Sequence, residues 1–330
     1  MKTNRLYIPI LALALAAGFT SCDDFLDREP MSTVDPEVYF TQVSQLESYA
    51  NQLYENILPS HGNWSYGIFG EDSGTDNQTG ATANNRFAEG LWKVPNKDDD
   101  NWKFEWIYRC NFFLQNVLEK YGTKEDGSEN TIMGDLASIK HYIGEIYFLR
   151  AYEYFKRYQK YGDFPIITEP LADDMEILRE SNKRMPRTEV ARFILDDLKK
   201  AYDFLSAKEM ATTRINKDAA LLLRSRVALF EGTWLKSFEG TAFVPNGEGW
   251  PGASKDYNKD YQFKSGSIDK EINYFLEQAI ADAETISEAY KNDLAENKGL
   301  QQSVNDPANP YYDMFAQEDL SGVRDVLLWR

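Results

Sequence analysis

From residue 188 onward the chain repeats a pattern that few folds can satisfy, apolar side chains spaced three and four apart. Val190, Phe193, Ile194, Leu198, Ala201 and Leu205 form one stripe, and Ala220, Leu223, Val227 and Phe230 form a second. Ile272, Phe275, Leu276, Ala279, Ile280, Ala283 and Ile286 form a third. Such spacing returns each side chain to one face of an α-helix, and stripes this wide pack on two neighbours. Thr188 and Asn216 stand where an N-cap is needed, because a short polar side chain can accept hydrogen bonds from first-turn amides. The same period runs through 38–58 (Val38, Leu46, Tyr49, Leu53, Ile57), from about 101 onward, and through 135–161. Trp102 and Trp106 are expected on a core-facing helical face. The expectation is a mainly α chain, a tetratricopeptide-like helical-repeat superhelix with long inserted loops. A few short strands are expected, at 164–167 and 326–329.

The N-terminus has a different character. Lys2 and Arg5 precede an apolar run from Leu6 to Phe19, then Thr20, Ser21 and Cys22. A basic start, a short apolar core and small residues before a cut site describe an export signal. The run is short for a membrane span and is interrupted by Pro9. A cysteine at the cut makes it a lipoprotein signal, since the thiol can carry acyl chains. Residues 1–21 are therefore expected to be removed, 22–36 to act as a tether, and 37–330 to form the helical domain.

Composition excludes several classes. The formal net charge is −17, which disfavours nucleic acid, whose binding rests on basic residues displacing counterions. Strong negative charge also repels anionic headgroups, so lipid and not a basic face would hold the chain to a membrane. Cys22 and Cys110 are the two cysteines; with Cys22 acylated no disulfide framework forms, and Cys110 is expected as a small buried apolar residue. No metal or cofactor is expected. The 98–100 aspartates lack the alternating ligands of an EF-hand, and His141–Glu145 lacks the second histidine of a zinc-protease helix.

Five segments, in order, carry a family resemblance. They are Cys22-Asp23-Asp24-Phe25-Leu26-Asp27 with Pro30, and Trp106-Ile107-Tyr108-Arg109-Cys110-Asn111. Next come Phe148-Leu149-Arg150-Ala151-Tyr152-Glu153-Tyr154-Phe155 with Tyr161-Gly162-Asp163-Phe164-Pro165, and Pro186-Arg187-Thr188 leading to Asp196-Asp197-Leu198. The last runs from Asn216-Lys217-Asp218 to Phe230-Glu231-Gly232. The chain resembles the SusD/RagB family of outer-membrane nutrient-binding lipoproteins. The resemblance implies tetratricopeptide-like repeats docked beside a SusC-like TonB-dependent transporter, a glycan ligand, and a lipid-anchored, surface-exposed place at the outer membrane. Family members usually continue well past Trp329-Arg330, so a fragment, incomplete at its C-terminus, or an unusually short member is expected.

A sugar offers an apolar C–H face to an aromatic ring and a rim of hydroxyls to amides and carboxylates. The loop from about 59 to 100 holds that mixture in Trp64, Tyr66, Asp76, Asn77, Asn84, Asn85, Arg86 and Trp92. Its plainer reading has the tryptophans pinning the loop and Asp76-Asn77 making a turn. A second loop, 240–263, carries Phe243, Trp250, Tyr257 and Tyr261, with Trp250 as its candidate. The leading expectation is therefore glycan binding without catalytic residues. Peptide or glycopeptide binding by the same scaffold is the alternative, and a lipid-anchored glycoside hydrolase a more distant one, because acidic residues are abundant without a recognisable catalytic setting.

Overall fold

The computed structural model of the protein describes residues 38–59, 89, 102–206, 213–299, 303 and 306–329. The chain divides into two units, 1–39 and 40–330, and the second holds the fold. Its described helices are α1 (Val43–Ile57), α2 (Glu105–Tyr121), α3 (Leu136–Tyr161) and α4 (Met175–Ser181). They continue with α5 (Arg187–Phe204), α6 (Lys217–Phe238), α7 (Ile268–Tyr290) and α8 (Pro310–Ala316), and a 3-10 turn spans Pro251–Ser254. α1 and α2 both pack on α3, α3 packs on α5, α5 on α6 and α6 on α7. Long helices stacked largely in chain order are the tetratricopeptide-like layout that the apolar stripes imply. No described helix is long and apolar enough to cross a membrane.

Local chemistry sets the helix ends. Asp135 caps α3 by accepting from the Ser138 amide at 2.8 Å, and Asn216 caps α6 through the Ala219 amide at 3.0 Å. α3 stops at Gly162, whose φ of 67° suits glycine. Gly144 lets α3 approach the end of α5: a Cβ there would lie 2.9 Å from the Leu205 amide nitrogen.

Several expectations are corrected. Thr188 does not cap α5. The helix begins at Arg187 after Pro186, and Thr188 is fully buried with its hydroxyl 2.5 Å from that of Tyr261. Val38 lies before α1 and is exposed, whereas Phe40 is buried against Tyr49 and Phe113. Ile280 and Ala283 face solvent, so the α7 stripe is narrower than its sequence suggests. Trp102 precedes α2, and both it and Trp106 are only half-buried.

The short strands are also absent from the described residues. Phe164 makes one antiparallel bridge to Met185, and there the ladder ends. Pro165 has no amide hydrogen to extend it, and the Tyr154 hydroxyl satisfies both the amide and the carbonyl of Ile167. At 326–329 the chain forms no strand and packs Leu327 on Ala219, Leu221 and Ile286. The Leu327 carbonyl accepts from the Asn216 side chain at 2.6 Å, in place of a strand partner.

Buried ion pairs stitch the stack together. Arg150 of α3 donates in bidentate fashion to Asp197 of α5 at 2.7 and 2.8 Å, and to Asn111 of α2 at 2.8 Å. Arg187 of α5 donates to Glu231 of α6 at 2.9 Å, and Arg192 of α5 to Glu271 of α7 at 2.7 Å. Arg224 of α6 pairs with Asp282 of α7 at 2.6 Å. Glu145 accepts from Tyr54, His141 and Arg214, which ties α1 and α3 to the approach to α6. The Ser206 amide donates to His141 Nδ1, which leaves the proton on Nε2 to face Glu145. Buried charges persist only when paired and hydrogen-bonded in this way.

Candidate ligand-binding cleft

Two of the hollows on the described surface could admit a ligand. The larger, about 580 Å³, lies between the end of α3, the segment before α5, the last turns of α6 and the 240–258 loop. That volume falls in the usual range for small-ligand sites. The smaller, about 300 Å³, is mostly apolar and is lined by Trp102, Phe104, Ile107, Tyr108 and Leu178 among others.

The larger cleft is built on a rigid base. Asp163 follows the glycine that ends α3. One of its oxygens accepts from the Arg187 amide at 2.8 Å and the other from the Trp250 indole at 2.8 Å. Burial pushes the Asp163 carboxyl above its ordinary range, against the lowering effect of those hydrogen bonds. The Arg187 guanidinium is stacked between the Tyr158 and Trp234 rings, at 4.9 and 4.2 Å from their centres, while paired with Glu231. Asn258, itself buried, donates to the Arg184 carbonyl at 2.8 Å and fastens the loop to the segment before α5.

Trp250 is the one candidate ligand residue that falls among the described residues. It lines the cleft but is only 4 % exposed, with Gly252 close beneath its ring and Tyr261 beside it. Its indole therefore forms wall and pin. The open faces belong to its neighbours Phe243 and Tyr257, which are 62 % and 42 % exposed. Trp64, Tyr66, Asp76, Asn77, Asn84, Asn85, Arg86 and Trp92 lie outside the described residues, as does Cys22.

Sequence reading missed Trp234, Arg184 and Lys255 as cleft residues. A hint was available in Lys183-Arg184, a basic pair in an acidic chain just before Pro186. Cys110 is buried and burial pushes its thiol pKa up, so it is no nucleophile. Among the described residues no group of three or more His, Cys, Asp or Glu side chains could share a metal ion.

Comparison with known proteins places the chain. A family model described as "Starch-binding associating with outer membrane", SusD-like, matches residues 24–229. Two SusD-like proteins of Formosa agariphila are similar, one 26% identical over 65% of this chain and 41% of its own length. The other is 25% identical over 75% of this chain and 47% of its own length, so the chain spans under half of either relative. Among solved structures, a SusD-like carbohydrate-binding protein of Bacteroides fragilis covers 80% of this chain and 43% of its own at 14% identity, with a TM-score of 0.49. With more than half its length matched by that model, the chain belongs to the SusD-like family.

Proposed function

We propose that this protein is a lipoprotein, anchored in the outer membrane through Cys22 and exposed at the cell surface, which captures glycans and hands them to a SusC-type TonB-dependent transporter. The observation that carries the reading is the family match over 24–229. The cleft supports it chemically. Phe243 and Tyr257 offer open rings for a sugar face, and loop residues held by Asp163 and Asn258 keep them in place without the ligand. Trp64, Tyr66 and Trp92, with the polar residues between them, are proposed as further contacts. Function is then affinity and geometry, with the lipid tether raising local concentration at the transporter.

Glycoside hydrolysis needs two carboxylates across the scissile bond. Among the described residues lining the cleft Asp163 is the one carboxylate, and both its oxygens are already engaged. Binding without bond cleavage is the better fit.

Two experiments test the reading. Titration calorimetry of the full chain against a glycan panel should find a ligand, and Phe243→Ala with Tyr257→Ala should weaken it about tenfold or more, the loss expected when apolar stacking area is removed. An unchanged affinity in the double variant moves the site elsewhere; silence across the whole panel removes the function. Separately, cells fed radiolabelled palmitate should label the parent protein and leave Cys22→Ser unlabelled. A labelled serine variant would sink the lipid anchor.

A further inference from the structure

The larger cleft has the wrong sign for this protein. The chain carries a net charge of −17, yet the charged side chains lining the cleft are Lys160, Arg184, Arg187, Lys255 and, as the one carboxylate among described residues, Asp163. Arg187 is cancelled by Glu231. Among the described residues neither Arg184 nor Lys255 forms an ion pair, and both are exposed. This contrasts with the interior, where Arg150, Arg187, Arg192, Arg214 and Arg224 each have a carboxylate partner.

The placement is specific. The Arg184 guanidinium sits over the Trp102 ring, 4.5 Å from its centre, which holds its fork at the cleft's edge. Lys255 follows directly on the 3-10 turn that packs beneath Trp250, so its position is tied to the pinned indole. Phe243 and Tyr257 line the same hollow. Rings take a sugar's C–H face, and a guanidinium beside an ammonium takes carboxylate or sulfate oxygens through charge-assisted hydrogen bonds.

We infer that the cleft selects acidic saccharides, glycans bearing uronate carboxylates or sulfate esters, over neutral ones. The inference rests on the proposed glycan-binding role of this cleft and narrows its cargo. Since the protein as a whole repels polyanions, attraction must come from this local patch, and binding should weaken as salt screens it.

The test is calorimetry of the full chain with three hexasaccharides of similar length: oligogalacturonate, a sulfated carrageenan fragment and maltohexaose. The acidic probes should bind at least tenfold tighter than maltohexaose, with affinity falling between 50 and about 300 mM salt. Carboxylate and sulfate arms tell which group the cleft prefers. Arg184→Gln with Lys255→Gln, both surface changes, should lower acidic-probe affinity about tenfold and flatten the salt dependence; Lys255→Glu should do so more strongly. Equal or tighter binding of maltohexaose, lost in Phe243→Ala, overturns the charge preference while leaving the glycan site intact. Binding of none of the three, with a wider panel also silent, overturns both. Salt-independent binding of acidic probes, unaffected by either variant, overturns the assignment of charge recognition to this cleft.

Discussion

Arg150→Met should lower the folding free energy by about 3–5 kcal/mol, the usual consequence of stranding a buried charge. Arg150 is 4 % exposed and Asp197 is fully buried. Burial works against the guanidinium's charge, but attraction to Asp197 outweighs it, and the Arg150 pKa is raised. Methionine keeps much of the aliphatic stem but leaves both Asp197 oxygens and the Asn111 side-chain oxygen without their donor. Asn111 in turn donates to the Ile167 carbonyl at 2.9 Å, so the defect spreads from the α3–α5 contact to α2 and the segment leading to the cleft. Total stability of a domain is only about 5–15 kcal/mol, so this single change brings it near the unfolding threshold. Urea unfolding followed by far-ultraviolet circular dichroism measures the loss. The double variant Arg150→Met with Asp197→Leu should recover most of it, because a pair replaced by packed apolar groups is often neutral. A single variant within 1 kcal/mol of the parent would show that the pair is dispensable.

The second large effect is alkaline unfolding. Burial, and then the neighbouring Glu145, raises the phenol pKa of Tyr54; burial and Glu231 do the same for Tyr158. Burial raises Tyr154 despite its hydrogen bond with Ile167, and it pushes Tyr147 up to about 12. A raised folded value means that the native protein keeps its proton when the unfolded chain has released it. Stability is therefore full below the ordinary value of 10.0 and falls as pH climbs from there through the folded values. Each phenol held protonated one pH unit past the unfolded chain removes about 1.4 kcal/mol. A few such tyrosines acting together can exhaust the stability within one to two pH units. Phenolate absorbance should thus show a group of tyrosines that ionise only together with loss of helical dichroism. Smooth, independent ionisation near pH 10 with the helices intact would contradict the burial of these hydroxyls.

The helices were legible because their cause is local. The 190–205 stripe and the Asn216 cap are written into short stretches of chain. What failed was decided at a distance. Thr188 has the chemistry of a cap, but Tyr261 claims its hydroxyl from the far end of a loop, and Pro186 already fixes the helix start. Residues 164–167 have strand composition, but the Tyr154 hydroxyl intercepts the backbone groups that a second strand would need. Four of the five segments that carried the resemblance, those among the described residues, are explained by the same long-range pairing. Asn111, Arg150, Asp163, Arg187, Asp197 and Glu231 are all members of buried networks. A charged residue inside an apolar run, such as Arg150 in the 148–155 stretch, was the available signal that a partner existed, although not which one. The cleft was least legible, since it gathers side chains from four separate parts of the chain and no periodicity links Arg184 with Lys255.

The placement of Cys110 turns the protein into its own timepiece. Its sulfur is sealed within the α2–α3 seam and held as the neutral thiol, so a thiol-reactive dye can reach it only when those helices part. If Cys22 carries the proposed acyl chains, Cys110 is the single free thiol in the chain. The rate of dye uptake then counts openings of one defined joint, and a cargo that tightens the stack would slow that count without touching the cysteine.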